Sequence, residues 1–217
     1  VYYGCLLFYV GCTVDAEASA ELFEDGVLLT YFNPVIFGTP AQTMSGIIRS
    51  LAASGKTPPG KVFRAATTLP RAVRGHRNHI TALCEVAQML SERLGMPEGV
   101  SDLFVHYTER WDGKGQPSAP KEQEIPLALR VIHVARDAAL QRMIGGVEYA
   151  ARVVAERAGG AFDPAIAALV AREAGDILAL DEEQSAWDEV LAAEPASQLM
   201  LRNDGIDRAL ATMGDFA

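Results

Sequence analysis

The chain has 217 residues, 49% of them apolar and 22% charged, with a net charge of −9. A chain of that length buries roughly 70% of the surface that its unfolded form exposes, so its core needs no disulfide or metal. Three cysteines, at positions 5, 12 and 84, make no even disulfide set; they exclude a stapled secreted scaffold and point to the cytoplasm.

The opening "VYYGCLLFYVGCTV" carries no charge before Asp15. It is shorter than the about 20 apolar residues that span a bilayer and lacks the basic flank of a signal peptide. No membrane association is expected. Being apolar all round, Val1 to Cys12 reads as a core helix with Cys5 and Cys12 as buried thiols. Starting at Val1 without Met, it reads as part of a longer protein, with a further helix ahead of it. Asp15 is an N-cap candidate for a helix stopping at Gly26. Thr39 caps the next helix, with Pro40 at its first position and Gly55 as terminator. After the loop "KTPPG" come a helix from about Val62 to Thr68 and another opened by Pro70. Gly26 to Cys84 holds seven bases and no acid, leaving 12 bases against 28 acids elsewhere. With no interleaved aromatics and no reading helix, this is a basic face for acidic helices and not a nucleic-acid site.

Ile80, Leu83, Val86 or Ala87, Leu90 and Leu94 form one helical stripe ended by Gly95. "PEGVSDLFVHYTE" starts the next helix, and "RWDGKGQPSAPKEQE" is a long loop. Pro126 opens a helix that stops at Gly145-Gly146. Two more follow, the second with Asp163 as cap and Pro164 at its first position, running to Leu178. Leu180 to Glu194 is a short acidic helix, and a last one begins near Gly205. The expected architecture is all-α, an irregular helical bundle over 1–180 with an acidic helix and a C-terminal linker helix over 181–217.

Three segments in order resemble the HD-GYP family, cytosolic bacterial metal phosphodiesterases that hydrolyse cyclic di-GMP. They are "LLFYVGC" (6–12), "ERWDGKGQP" with "EIPLALRVIHVARDA" (109–138), and "AGGAFDPAI" (158–166). The resemblance implies an HD-domain fold over about 1–180. It also implies that metal ligands should stand at definite positions. At the family's His-Asp pair this chain has Phe8 and Tyr9, with Cys12 at the lysine that follows. Leu83 stands at the later His, Tyr107 and Thr108 at the His-His pair, and Arg136 at the distal Asp. Gln116 replaces the tyrosine of Gly-Tyr-Pro. "WDEVLAAEP" (187–195) and "IDRALATMGDFA" (206–217) resemble the stretch that, in actinobacterial LuxR-type regulators, links a degenerate HD domain to an intact one.

Hard divalent ions need carboxylate or neutral imidazole donors. Phe and Leu offer none. Tyr ligates strongly only after losing a proton, at a cost of about 4 kcal/mol at pH 7. Arg136 adds a fixed cation where a carboxylate should neutralise the ions. No catalytic residue, metal or cofactor is therefore expected. Phe8, Tyr9, Leu83, Tyr107, Thr108, Glu109 and Arg136 line a vestigial pocket, suited if anything to a small anionic or planar ligand. Arg110, Asp112, Gly113, Gly115, Gln116 and Pro117 form the retained signature loop. Asp112 is expected to pair with Arg110 or Lys114, and Gly113 and Gly115 to take positive φ. His76 and His79, three apart, read as structural residues.

The expected function is a non-catalytic regulatory or scaffolding domain of a signalling protein. Its partner would be a neighbouring HD-GYP catalytic domain or a second copy. The alternative is a phosphodiesterase with atypical metal ligands.

Overall fold

A computed structural model describes residues 1–8, 33–53, 84–115, 120–179, 185–195 and 200–215. Over these residues the chain is helical, with no strand and only isolated bridge residues, Thr108 and the pair Ala158 and Phe162. None of the described helices is long and apolar enough to cross a membrane.

Helix α1 (Tyr2–Leu6) is shorter than the run Val1 to Cys12 suggests. It tightens at its end, where the Phe8 N–H donates to the Cys5 carbonyl, and Leu7 leaves helical geometry at φ −88° and ψ 1°. Only one side is covered: Gly4 and Phe8 are buried, whereas Cys5 and Leu6 are exposed. The uniformly apolar pattern therefore misjudged this segment, since an apolar face can stay exposed at no polar desolvation cost.

A 3-10 turn (Asn33–Val35) leads to α2 (Pro40–Ala53). Thr39 caps α2 reciprocally with Gln42: the Gln42 N–H donates to Thr39 Oγ1, and Gln42 Oε1 accepts from the Thr39 N–H. Helix α3 (84–93) buries Cys84, Ala87 and Leu90 and ends in a Schellman turn. There the Met96 N–H reaches the Ser91 carbonyl, the Gly95 N–H reaches Glu92, and Gly95 sits at φ 71°. Helix α4 (Glu98–Phe104) follows.

Helix α5 (Leu127–Glu156) is two arms meeting at Gly146, whose φ of 81° and ψ of −179° are open essentially only to glycine. Arg157 and Asp137 prove the reversal. Twenty residues of straight helix would separate them by about 30 Å, yet their side chains are ion-paired. The segment from Asp163 to Leu178, expected as one helix, divides at Glu173 into α6 (Pro164–Arg172) and α7 (Ala174–Ile177). Glu173, at φ −100° and ψ 22°, breaks the spiral.

Helices α8 (Ala186–Ala192) and α9 (Asp204–Asp215) complete the described chain. Neither stands free. The Tyr2 hydroxyl donates to the Val190 carbonyl and the Tyr3 hydroxyl to Glu194, while Arg93 pairs with Asp215 at 3.1 Å.

Two cores result. Phe8, Leu103, Phe104, Tyr107, Ile125, Leu129 and Ile132 form one. Phe37, Val134, Ala138, Ala150, Val154, Phe162 and Ala167 form the other. The first arm of α5 contributes to both, so residues 133–137 lie along the seam between them.

Candidate functional site

The signature loop is built as a clamp. Arg110 forks onto Asp112 at 3.1 and 3.2 Å and donates to the Gly38 carbonyl at 3.1 Å. Burial works against ionisation of Asp112, but Arg110 and the Lys114 N–H outweigh it and hold the carboxyl below its ordinary value. The Trp111 and Asp112 N–H groups donate to the Ala161 and Gly160 carbonyls, fastening the loop to the turn before α6. Arg130 lies 5.7 Å over the Trp111 ring and pairs with Asp163 at 2.7 Å. Asp163 Oδ1 in turn caps α6 by accepting from the Ala165 and Ile166 N–H groups.

Gly113 has the expected positive φ of 70°, but Gly115 is absent from the positive-φ glycines among the described residues. Its reason is close approach. A Cβ there would lie 2.4 Å from Glu109 Cα and 2.5 Å from the Arg110 nitrogen. The loop doubles back onto its own start five and six residues earlier, a closure wider than the four residues a turn preference covers.

Behind the clamp, Phe8 stacks on Tyr107 with centroids 4.1 Å apart and planes inclined by 27°. Arg136 lies 5.4 Å from the Phe8 ring and 5.6 Å from the Phe37 ring, a cation between two π-faces. Both stacked rings are buried, Thr108 is half-buried beside them, and Glu109 is buried completely. The structure thus brings Phe8, Tyr107 and Arg136 together. Tyr9, Leu83, Gln116, Pro117, His76 and His79 lie outside the described residues.

Four residues complete the chemistry of the seam: His133, Asp137, Gln141 and Arg157. His133 is buried and its Nε2–H donates to the Tyr107 carbonyl at 2.9 Å, the tautomer that an acceptor-only carbonyl demands. Burial, reinforced by the charge of Arg136 and opposed by the bond to Tyr107, pushes its pKa down to about 4. Asp137 receives both oxygens' worth of Arg157 Nη1 at 2.7 and 2.6 Å, and Gln141 at 3.3 Å. Burial pushes the Asp137 carboxyl up against the pull of that guanidinium. Arg157 Nη2 and Gln141 Nε2 both donate to the Pro34 carbonyl, tying the hairpin to the 3-10 turn. A one-residue register from Arg136 therefore separates a side chain in the aromatic stack from one in a buried ion pair.

A profile of the HD domain matches residues 38–166, more than half of the chain and including the loop and the first arm of α5. The chain belongs to the HD-domain family. A curated relative, the 3'3'-cGAMP-specific phosphodiesterase 3 of Vibrio cholerae serotype O1, is 24% identical over 173 residues. That match takes in 78% of this HD domain's chain but 37% of the relative's length. The crystal structure of cyclic GMP-AMP-specific phosphodiesterases of V. cholerae superposes with a TM-score of 0.62 at 18% identity. It covers 98% of this chain and 53% of that one, so the fold is shared and the chain spans about half of its structural relative.

The described part of the donor set does not fit a metal centre. Among the described residues, no group of three or more His, Cys, Asp or Glu is placed to hold an ion. Rings 4.1 Å apart are in van der Waals contact, and a guanidinium over one of them repels any cation that approaches.

Proposed function

We propose that this HD domain is a non-catalytic regulatory or scaffolding module of a longer bacterial signalling protein concerned with cyclic dinucleotides. The observation that carries this reading is the Phe8–Tyr107 stack roofed by Arg136. It sits at positions where the HD-GYP resemblance expects two histidines and a neutralising Asp carboxylate. Hydrolysis in that family depends on metal to generate hydroxide and brace the leaving oxygen, and these groups supply neither. The partner in this reading is an intact HD-GYP domain of the same or another chain, or a second copy. A tandem arrangement like that of LuxR-type regulators is one such setting.

The phosphodiesterase name of the V. cholerae relative favours a second reading, a phosphodiesterase with atypical ligands. Turnover separates the two. The chain is incubated with 3'3'-cGAMP or cyclic di-GMP and Mn²⁺ or Fe²⁺, and linear products are followed by chromatography. The non-catalytic reading expects none above buffer. Chelator-sensitive turnover by the pure chain would reinstate the enzyme.

A further inference from the structure

Helix α1 crosses the first arm of α5 at Ile132, so closely that a Cβ on Gly4 would lie 2.6 Å from the Ile132 side chain. Beyond the crossing the two helices border an open cleft of about 330 Å³. Ala135, Ala139 and Met143 recur every four residues along its floor, and Cys5 and Phe8 form a step at its side. Both alanines are exposed. Met143, at 81%, is the most exposed large apolar side chain among the described residues. Ile144 and, on α1, Leu6 extend the apolar surface beyond the cleft. Arg136 also borders it, but its guanidinium is drawn back between the Phe8 and Phe37 rings. An apolar hollow and an apolar projection therefore stand side by side, with that cation withdrawn from both.

We infer that a second copy of this chain docks in the cleft, about a two-fold axis near Ala139 with the two α5 arms antiparallel. This partner is the second copy named in the non-catalytic reading above, on which the assignment rests. Ala139 is the midpoint of the floor: Ala135 and Met143 each lie four residues, or about 6 Å, from it. Reversing the helix about that point sets Met143 of each copy over Ala135 of the other, beside its Phe8 step. A patch that carries its own complement closes into a dimer and stops there. The small alanines let the helix axes come together near the short end of the about 8–10 Å range, and a thioether beside a ring adds a favourable contact. Burying Met143, Ile144, Leu6, the two alanines and the rim of Leu140 removes roughly 500 Å² per copy, about 1,000 Å² in all, the lower bound for a specific interface. The dimer is accordingly weak, with a dissociation constant on the order of 10 μM. The exposed sides of α8 and α9 suit a second copy less well, since Asp188 and Glu189 on one and Asp204 and Asp207 on the other would face like charges.

Sedimentation velocity of the full chain from about 1 to about 200 μM tests the inference. A monomer–dimer equilibrium should appear, and about 0.5 M NaCl should change its constant by less than about threefold, because the contact is apolar. Met143→Lys and Ala139→Glu, both at exposed positions, should weaken association at least about tenfold while leaving the thermal melt in place. Leu210→Lys, on the exposed side of α9, should leave association unchanged. A monomer throughout the range, a dimer that survives Met143→Lys, or a dimer lost in Leu210→Lys would each overturn it. Metal-dependent turnover would instead sink the non-catalytic reading, so the two failures are distinguishable.

Discussion

The Tyr107 ring stacks on Phe8 and lies tilted against Phe104 with centroids 6.2 Å apart, while its backbone carbonyl accepts from His133. Tyr107→Ala should therefore lower the unfolding free energy by about 3–5 kcal/mol, as for other large-to-small core changes. Chemical denaturation measures it; a loss under 1 kcal/mol, on the order of a surface substitution, would show that the stack holds nothing up. His133 makes a pH-dependent contribution. Its folded pKa is depressed to about 4 from 6.5, so between those values the unfolded chain binds the proton and the folded one does not. Stability should be flat above pH 6.5 and fall as pH drops toward 4, by up to about 3 kcal/mol. His133→Gln should flatten that limb of the stability–pH curve. The chemical types at Phe8, Tyr107 and Arg136 were legible in the sequence because a familiar loop supplied the register. The role of Asp137 was not, since only folding shows which neighbours of Arg136 turn inward.

Local punctuation explains most of the elements that the sequence made readable. Gly95, Thr39 with Pro40, and Asp163 with Pro164 act within a few residues of themselves, which is why a linear reading finds them. The end of α1 and the break at Glu173 have no such marker. The hairpin of α5 combines both kinds of control. Gly146 permits the reversal locally, and the Asp137–Arg157 pair fastens the arms across 20 residues. Gly146→Ala should cost about 1–3 kcal/mol, the strain of a side chain in a glycine-only conformation. Asp137→Ala should cost more, about 3–5 kcal/mol, because it strands a buried guanidinium. Replacing both partners with apolar residues should recover much of that loss; thermal melts of the three variants provide the comparison, and an Asp137→Ala protein as stable as the parent would contradict it.

At the scale of the whole molecule, the family's helical frame persists over the described residues. The clamp of Arg110, Asp112 and Trp111 still fastens the loop to the turn before α6. The seam that the clamp covers is filled by rings and a guanidinium. Helices α8 and α9 pack on α1 and α3 through Tyr2, Tyr3 and Arg93, yet Trp187, Leu191, Leu210 and Met213 remain exposed. All-α architecture followed from the scarcity of alternating patterns, whereas the division into two cores depends on contacts that no local pattern encodes. The most direct test of the account is metal content by elemental mass spectrometry, on chain purified from cells grown with added iron and manganese. The expected result is far below one equivalent of Fe, Mn or Zn per chain; a stoichiometric ion lost on Phe8→Ala or Arg136→Met would contradict it.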